Sequence, residues 1–204
     1  MSRYATAGWG AGNGDDSAPG GPGFAGMIES LRLLHDRITG AAPPPELLKE
    51  MTRAFEDLAV ELGLYAVSER EQITGHRIDL PGRGQALVPV FTVDESDDEH
   101  VRGSVRFGRY YLGGNGAAHG GAIPLVFDEM LGRLANAGGR PISRTAYLRV
   151  DYRSITPLDR DLRAEAWFDR EEGRKRFLRG AIFDGETRCA EAEGLFVALN
   201  PGQP

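Results

Sequence analysis

The stretch Gly116-Ala117-Ala118-His119-Gly120-Gly121-Ala122-Ile123-Pro124-Leu125-Val126-Phe127-Asp128-Glu129 brings together residue types that can act jointly on a carbonyl group. Glycines at 120 and 121 let a ligand approach the main chain closely, and the unpaired N–H groups that open a helix form a ready site for negative charge. Pro124 sets the start of that helix near Gly120 or Gly121, because proline is tolerated in an opening turn and disruptive deeper inside. A carbonyl held there has its developing oxyanion stabilised by on the order of 3 kcal/mol per well-placed donor. Asp128 is the candidate to activate water. Its helical neighbours Leu125, Leu131 and Ala135 make an apolar setting in which a carboxylate without a purpose is costly, and the bland alternative is a carboxylate on a helix surface.

Asp128 lies eight residues beyond Gly120, so at about 1.5 Å rise per residue the two are roughly 12 Å apart. One helix cannot bring both to the same carbon. A two-fold dimer with antiparallel central helices would bring Asp128 of one chain toward Gly120 and Gly121 of the other, so an enzyme built on these residues requires the interface.

The surrounding residues each carry two readings. Glu129 is a substitute base, or a solvated carboxylate paired with Arg133 one turn on. His119 positions the glycine loop or the substrate carbonyl through a ring nitrogen, or caps the helix. Thr145 is a β-branched strand residue or a hydroxyl that holds the attacking water. Asn115 cross-bonds the loop, or sits in a glycine-rich turn because its backbone permits it. Arg144, Arg149 and Arg153 can hold a phosphate locally, or line a solvated strand edge.

Several classes are set aside. His35, His76, His100 and His119 are scattered, with no paired cysteines and no HExxH spacing, so no metal site is expected and no cofactor is implied. The glycines around position 119 fail the dinucleotide pattern. With 24 Lys and Arg against 30 Asp and Glu, the formal charge of -6 gives no general attraction to nucleic acid. Cys189 is the single cysteine, which excludes an intramolecular disulfide and reads as a small core residue in a reducing compartment. No apolar run approaches the roughly 20 residues that span a bilayer, and the N-terminus lacks a basic region followed by an apolar stretch. A cytoplasmic protein without membrane insertion is the expectation.

The elements that must carry these residues read as follows. Residues 1–23 are mostly Gly, Ala, Ser, Pro and Asp, too poor in apolar surface to offset the entropy of ordering, and are expected to be a disordered tail. Phe24, Met27, Ile28, Leu31, Leu34 and Ile38 recur at helical spacing up to Gly40, and Leu47, Leu48, Met51, Phe55, Leu58 and Leu62 do so from the Pro44–Pro45 start to Gly63. These two amphipathic helices form an N-terminal extension over 24–74 that is expected to pack on the domain at 75–204. Two strands follow, from about Gln85 to Val93 and from Val101 to Tyr111, joined by an acidic turn at Asp94 to Glu99. The run Gly113-Gly114-Asn115-Gly116 breaks regular structure. A helix from Gly121 to about Ala137 comes next, with Ile123, Phe127, Met130 and Leu134 on one stripe, then four strands near 145–153, 162–169, 175–183 and 188–199. Strands in that order, without helices between them, must form a largely antiparallel sheet wrapped around the single helix. The fold class is α+β, in the outline of a hotdog.

At this point the motifs resemble a known family. His119-Gly120-Gly121-Ala122-Ile123, then Asp128-Glu129, then Thr145-Ala146-Tyr147-Leu148, are similar to the PaaI-like and THEM4-like hotdog-fold thioesterases, over roughly Gln85 to Leu199. The resemblance implies hydrolysis of an acyl-CoA thioester, with glycine amides polarising the carbonyl. Asp128 of the partner subunit's helix would be base or nucleophile, and Thr145 the strand threonine of THEM4-like members. It also implies that Tyr152-Arg153-Ser154-Ile155-Thr156-Pro157-Leu158 meets the nucleotide end of CoA, with Arg153 near the phosphates. A homodimer or a dimer of dimers follows from it. The glycine-rich tail and the two helices depart from a minimal member. A non-catalytic acyl-CoA binding or sensing protein is the alternative from another class, and a hydratase lacks its Asp-x4-His.

Overall fold

The computed structural model describes residues 17–203. Its main sheet has six strands, each antiparallel to its neighbours, in the order β1-β2-β6-β7-β8-β5. The strands are β1 (Val90–Ser96), β2 (His100–Arg106), β5 (Ser143–Tyr152), β6 (Asp161–Glu172), β7 (Lys175–Asp184) and β8 (Thr187–Ala198). A small hairpin, β3 (Leu112–Gly114) and β4 (Ala117–Ala118), lies between β2 and the central helix α3 (Ala122–Ala135). The sheet curls around α3, whose Ile123, Val126, Phe127, Met130 and Leu134 are at most 2% exposed. That is the expected hotdog, and its core is the apolar stripe of α3 against alternate residues of the strands. Cys189 is buried in that core as a free thiol.

Both ends of α3 are fastened. The buried Arg176 guanidinium donates at 2.7 Å to the carbonyl of Ala135, an acceptor that the helix end leaves unpaired, and to that of Pro141 in the connector to β5, placing a cation at the negative end of the helix dipole. At the other end, Ala122 N–H donates to His119 O.

The expected boundaries shift in three places. Residues 85–89 are not strand, because Tyr111 Oη donates to Leu87 O and Arg32 donates to Gln85 O, which hold this stretch against other elements as a connector. The acidic turn is shorter than its composition suggested: Asp94 to Ser96 extend β1, and Asp97 alone closes the turn by accepting the Glu99 and His100 N–H groups. Those two donors hold the Asp97 carboxyl below its ordinary range. The second strand stops at Arg106 because Gly108 packs on the Asp36 carboxylate, which accepts the Tyr110 N–H and turns the chain.

Two helices precede the sheet, α1 (Gly21–Thr39) and α2 (Pro45–Gly63). α1 starts inside the segment expected as tail, while the rest of that expectation, residues 1–16, lies outside the described residues. α1 buries Phe24 and Ile28 with Leu80, and Arg77, 1% exposed, donates to the Pro19 and Gly21 carbonyls at its start. The expectation that both helices pack on the domain holds for α1 and fails for α2, which has no buried residue. No helix among the described residues is long and apolar enough to cross a membrane.

Candidate active site

The turn that carries His119 is fixed by its backbone. His119 N–H donates to Tyr111 O, Ala118 N–H to Thr156 O, and Leu158 N–H to Gly116 O. Gly113 lies so close that a Cβ there would stand 2.8 Å from His119 Cα, so this position admits only glycine. Asn115, at the tip of the β3–β4 turn, is exposed with φ 49, a left-handed conformation that asparagine tolerates.

The peptide between Gly120 and Gly121 is held from both sides. Its N–H, on Gly121, donates to His119 Nδ1 at 2.9 Å, and its carbonyl, on Gly120, accepts from the Tyr152 hydroxyl at 2.6 Å. Accepting through Nδ1 places the proton of a neutral His119 ring on Nε2. The two amides expected to act as a pair are therefore divided. Gly121 N–H is engaged within its own loop, and no hydrogen bond among the described residues takes up the Gly120 N–H.

Asp128 and Glu129 exchange the surroundings expected of them. Asp128 is exposed, and Thr145 Oγ1 donates to its Oδ1 at 2.9 Å. Glu129 is the buried carboxylate, 8% exposed, paired with Arg133 at 2.7 Å and with Arg83 at 3.1 Å. The reason is the connector before β1, which returns across α3. Arg133 donates to the Ile78 and Leu80 carbonyls of that connector and draws Glu129 under it. The solvated reading of Glu129 is corrected, as is the apolar setting of Asp128 within one chain.

Thr145 and Tyr152 both face α3 although they are seven residues apart, a separation that a regular strand would split between opposite faces. The register of β5 on β8 slips between Thr145 and Tyr147, so the strand carries an extra residue at this point. Beyond the slip, Leu148 and Val150 pack on the core and Tyr152 follows in phase with them. Bulges re-aim side chains in this way. Sequence reading missed Tyr152, because nothing in composition marks the bulge.

Arg153 meets carboxylates, not open space. It donates to Glu191 at 2.9 Å through Nε and lies 3.5 Å from Asp151. The hydrogen bond to Glu191 raises the Arg153 pKa and lowers that of Glu191. Arg149 sits 3.4 Å from Asp151, whereas Arg144 is exposed with no ion pair among the described residues. No group of three or more His, Cys, Asp or Glu among the described residues is placed to hold a metal.

Comparison with known proteins finds similarity over the segment that carries this site. Residues 115–191 match the thioesterase superfamily model, spanning the loop, α3, β5, β6, β7 and the start of β8. Acyl-coenzyme A thioesterase THEM4 of Bos taurus is 28% identical over 160 residues, which is 77% of this chain and 66% of that protein. Acyl-coenzyme A thioesterase THEM4 of Rattus norvegicus is 34% identical over 99 residues, 48% of this chain and 42% of that protein. The chain thus spans just under two thirds of the first relative's length and less than half of the second's. A solved structure of a thioesterase superfamily protein superimposes with a TM-score of 0.71 at 27% identity, covering 84% of this chain and 93% of that one. A likeness of that extent reaches past the sheet into the helical extension, so the extension is not peculiar to this chain. Residues 115–191 thus carry the thioesterase superfamily match on a hotdog fold.

Proposed function

We propose that this protein hydrolyses acyl-CoA thioesters to free acid and CoA at a site shared between two copies of the chain. The observation that carries the reading is the exposed Asp128 carboxylate, oriented by Thr145 through one oxygen. The relatives named as acyl-coenzyme A thioesterases support the substrate class.

Within one chain, Thr145 reaches Asp128 at the middle of α3 and Tyr152 reaches Gly120 just before its start, so β5 and α3 run antiparallel. β5 is also an edge of the sheet, ten residues long, with its outer side unpaired among the described residues. Exposed edges of that length are normally covered or paired. Antiparallel pairing of two β5 edges about a two-fold axis near Leu148 and Arg149 would set Thr145 and Asp128 of one copy beside Tyr152 and Gly120 of the other.

In that arrangement the Gly120 N–H of one copy donates to the thioester oxygen. Asp128 of the other takes a proton from water as the water oxygen attacks the carbonyl carbon. The tetrahedral oxyanion is held at Gly120 N–H and its collapse breaks the C–S bond. Asp128 then returns the proton to the departing CoA sulfur. Thr145 fixes the carboxylate, His119 and Tyr152 fix the loop, and Gly121 completes its turn. Glu129, already committed to two arginines, serves the fold and not the proton transfer. Arg153 would have to exchange its carboxylate partners to hold a CoA phosphate, which leaves Arg144 as the more available cation.

The test is thiol release from short, long and aromatic acyl-CoAs by the unaltered protein and by Asp128→Asn. We expect hydrolysis by the first and a loss of at least about 100-fold in kcat for the second, the scale of a general base. Tight binding of acyl-CoA without any release would replace this reading by a binding protein. Full turnover by Asp128→Asn would remove Asp128 from the chemistry.

A further inference from the structure

An acidic side chain is disfavoured in the last turn of a helix, where the free carbonyls already carry negative charge. Asp36 stands in the last turn of α1 all the same, and its partner is 74 residues away: Oδ1 accepts the Tyr110 N–H at 2.8 Å. Gly108 makes room for it, since a Cβ there would stand 2.5 Å from Asp36 Oδ2. His35, one residue earlier, stacks on the Tyr110 ring with the centroids 4.4 Å apart. Two consecutive residues of α1 thus hold one short 3-10 turn, Arg109–Tyr111.

That turn leads directly to the His119 loop. It is closed by Tyr111 N–H donating to Gly108 O, which leaves the Tyr110 N–H without a partner inside the turn, and Asp36 supplies one. The Tyr111 carbonyl then accepts the His119 N–H at 2.6 Å, and β3, which begins at the next residue, pairs with β4 through Leu112 and Ala118. His119 in turn holds the Gly121 N–H through Nδ1. A tilt of the turn is therefore passed on to the peptides on either side of Gly120. The loop has a second main-chain anchor, Ala118 N–H to Thr156 O, which does not depend on α1. Losing the first anchor loosens the loop without releasing it.

We propose that Asp36 is a positioning residue for the thioester chemistry: from the helical extension it caps the turn at 109–111 and thereby sets the placement of His119 and the Gly120 N–H. The role rests on the thioesterase reading argued above and deepens it, because it gives α1 a part in the reaction. It acts through Tyr110 and Tyr111, and it needs an acceptor oxygen, not a charge.

Asp36 is only partly buried and lines a cavity of about 440 Å³ between α1 and strands β1 and β2, so its truncation opens no void in the core. The test compares the unaltered full chain with Asp36→Ala and with Asp36→Asn, whose amide oxygen still accepts a hydrogen bond. Thiol release from acyl-CoA and amide exchange at His119, followed by NMR, are measured on each. For Asp36→Ala we expect kcat to fall about tenfold at unchanged KM, and the His119 amide to exchange at least about tenfold faster while α3 amides exchange as before. Asp36→Asn should restore both. Unchanged kcat or unchanged His119 exchange in Asp36→Ala overturns the proposal. So does a loss that Asp36→Asn fails to rescue, which would make the charge the agent, or α3 amides that speed up together with His119, which would leave Asp36 a role in stability alone. If the unaltered protein releases no thiol from any acyl-CoA, the thioesterase reading fails separately, and exchange at His119 alone decides whether Asp36 positions the loop.

Discussion

A peptide group held at both of its polar ends has little freedom to rotate, and the unit joining Gly120 to Gly121 is held in this way by Tyr152 and His119. Rotation of that unit would turn the loop about Gly120, whose own N–H the proposed chemistry relies on, so the hydroxyl of Tyr152 matters there as a positioning group. Tyr152→Phe is expected to lower kcat about tenfold with little change in KM, since one positioning bond of about 1.4 kcal/mol corresponds to that factor. An unchanged kcat beside a raised KM would make Tyr152 a binding residue instead. His119, Gly120 and Asp128 were legible because their types and spacing suffice to mark them, whereas Tyr152 depends on a one-residue slip that no pattern of side chains announces. Tyr111 offers a second measurement at this scale. Burial pushes its hydroxyl up from 10.0 to about 12. A raised acid keeps its proton in the folded state while the unfolded chain loses it, so stability is full below pH 10 and falls as pH rises from 10 to 12. Urea midpoints across that range should fall more steeply for the unaltered protein than for Tyr111→Phe, and parallel curves would place the hydroxyl in contact with water.

The connector between α2 and β1 behaves as a strap over α3, and the clasp is Glu129 with Arg133 and Arg83. A buried carboxylate between two guanidinium groups contributes little over an apolar replacement of the whole cluster, but removing one member leaves the others unpaired. Glu129→Ala is therefore expected to destabilise the fold by about 3 kcal/mol, read as a lowered urea midpoint, while kcat of the folded fraction is kept. A stable variant with no turnover would return Glu129 to the chemistry. The order of helices and long strands was legible because each carries its own period, 3.6 for α1, α2 and α3 and 2 for the strands. Which of two adjacent carboxylates is buried was not, because Glu129 is covered by a segment some fifty residues away in sequence. The strand expected at 85–93 misled for a related reason. Its apolar residues are real, but the Gln85 and Leu87 carbonyls are held by Arg32 and Tyr111 and are not part of a ladder.

At the scale of the whole molecule, the proposed chemistry requires that one chain hold each half of a site and keep the halves apart along α3. The residue count puts Asp128 roughly 12 Å from Gly120 at helical rise, and in the structure Tyr152 bonds the loop that opens α3 while Thr145 bonds the helix at its middle. If two chains share each site, the sites can be repaired by mixing inactive chains. Asp128→Asn keeps an intact Gly120, and Gly120→Pro deletes the Gly120 N–H while keeping an intact Asp128. Each alone should be inactive. In a mixed dimer one site combines the intact Gly120 of the first with the intact Asp128 of the second, and the other site carries both lesions. Equal amounts, unfolded together and refolded, should form mixed dimers in half of the population and so recover about a quarter of the unaltered activity. Circular dichroism of each variant alone establishes that both fold. Recovery near that level requires a site built across two chains, whereas two folded variants that stay inactive on mixing would confine the chemistry to a single chain. The open edge of β5 would then need another partner.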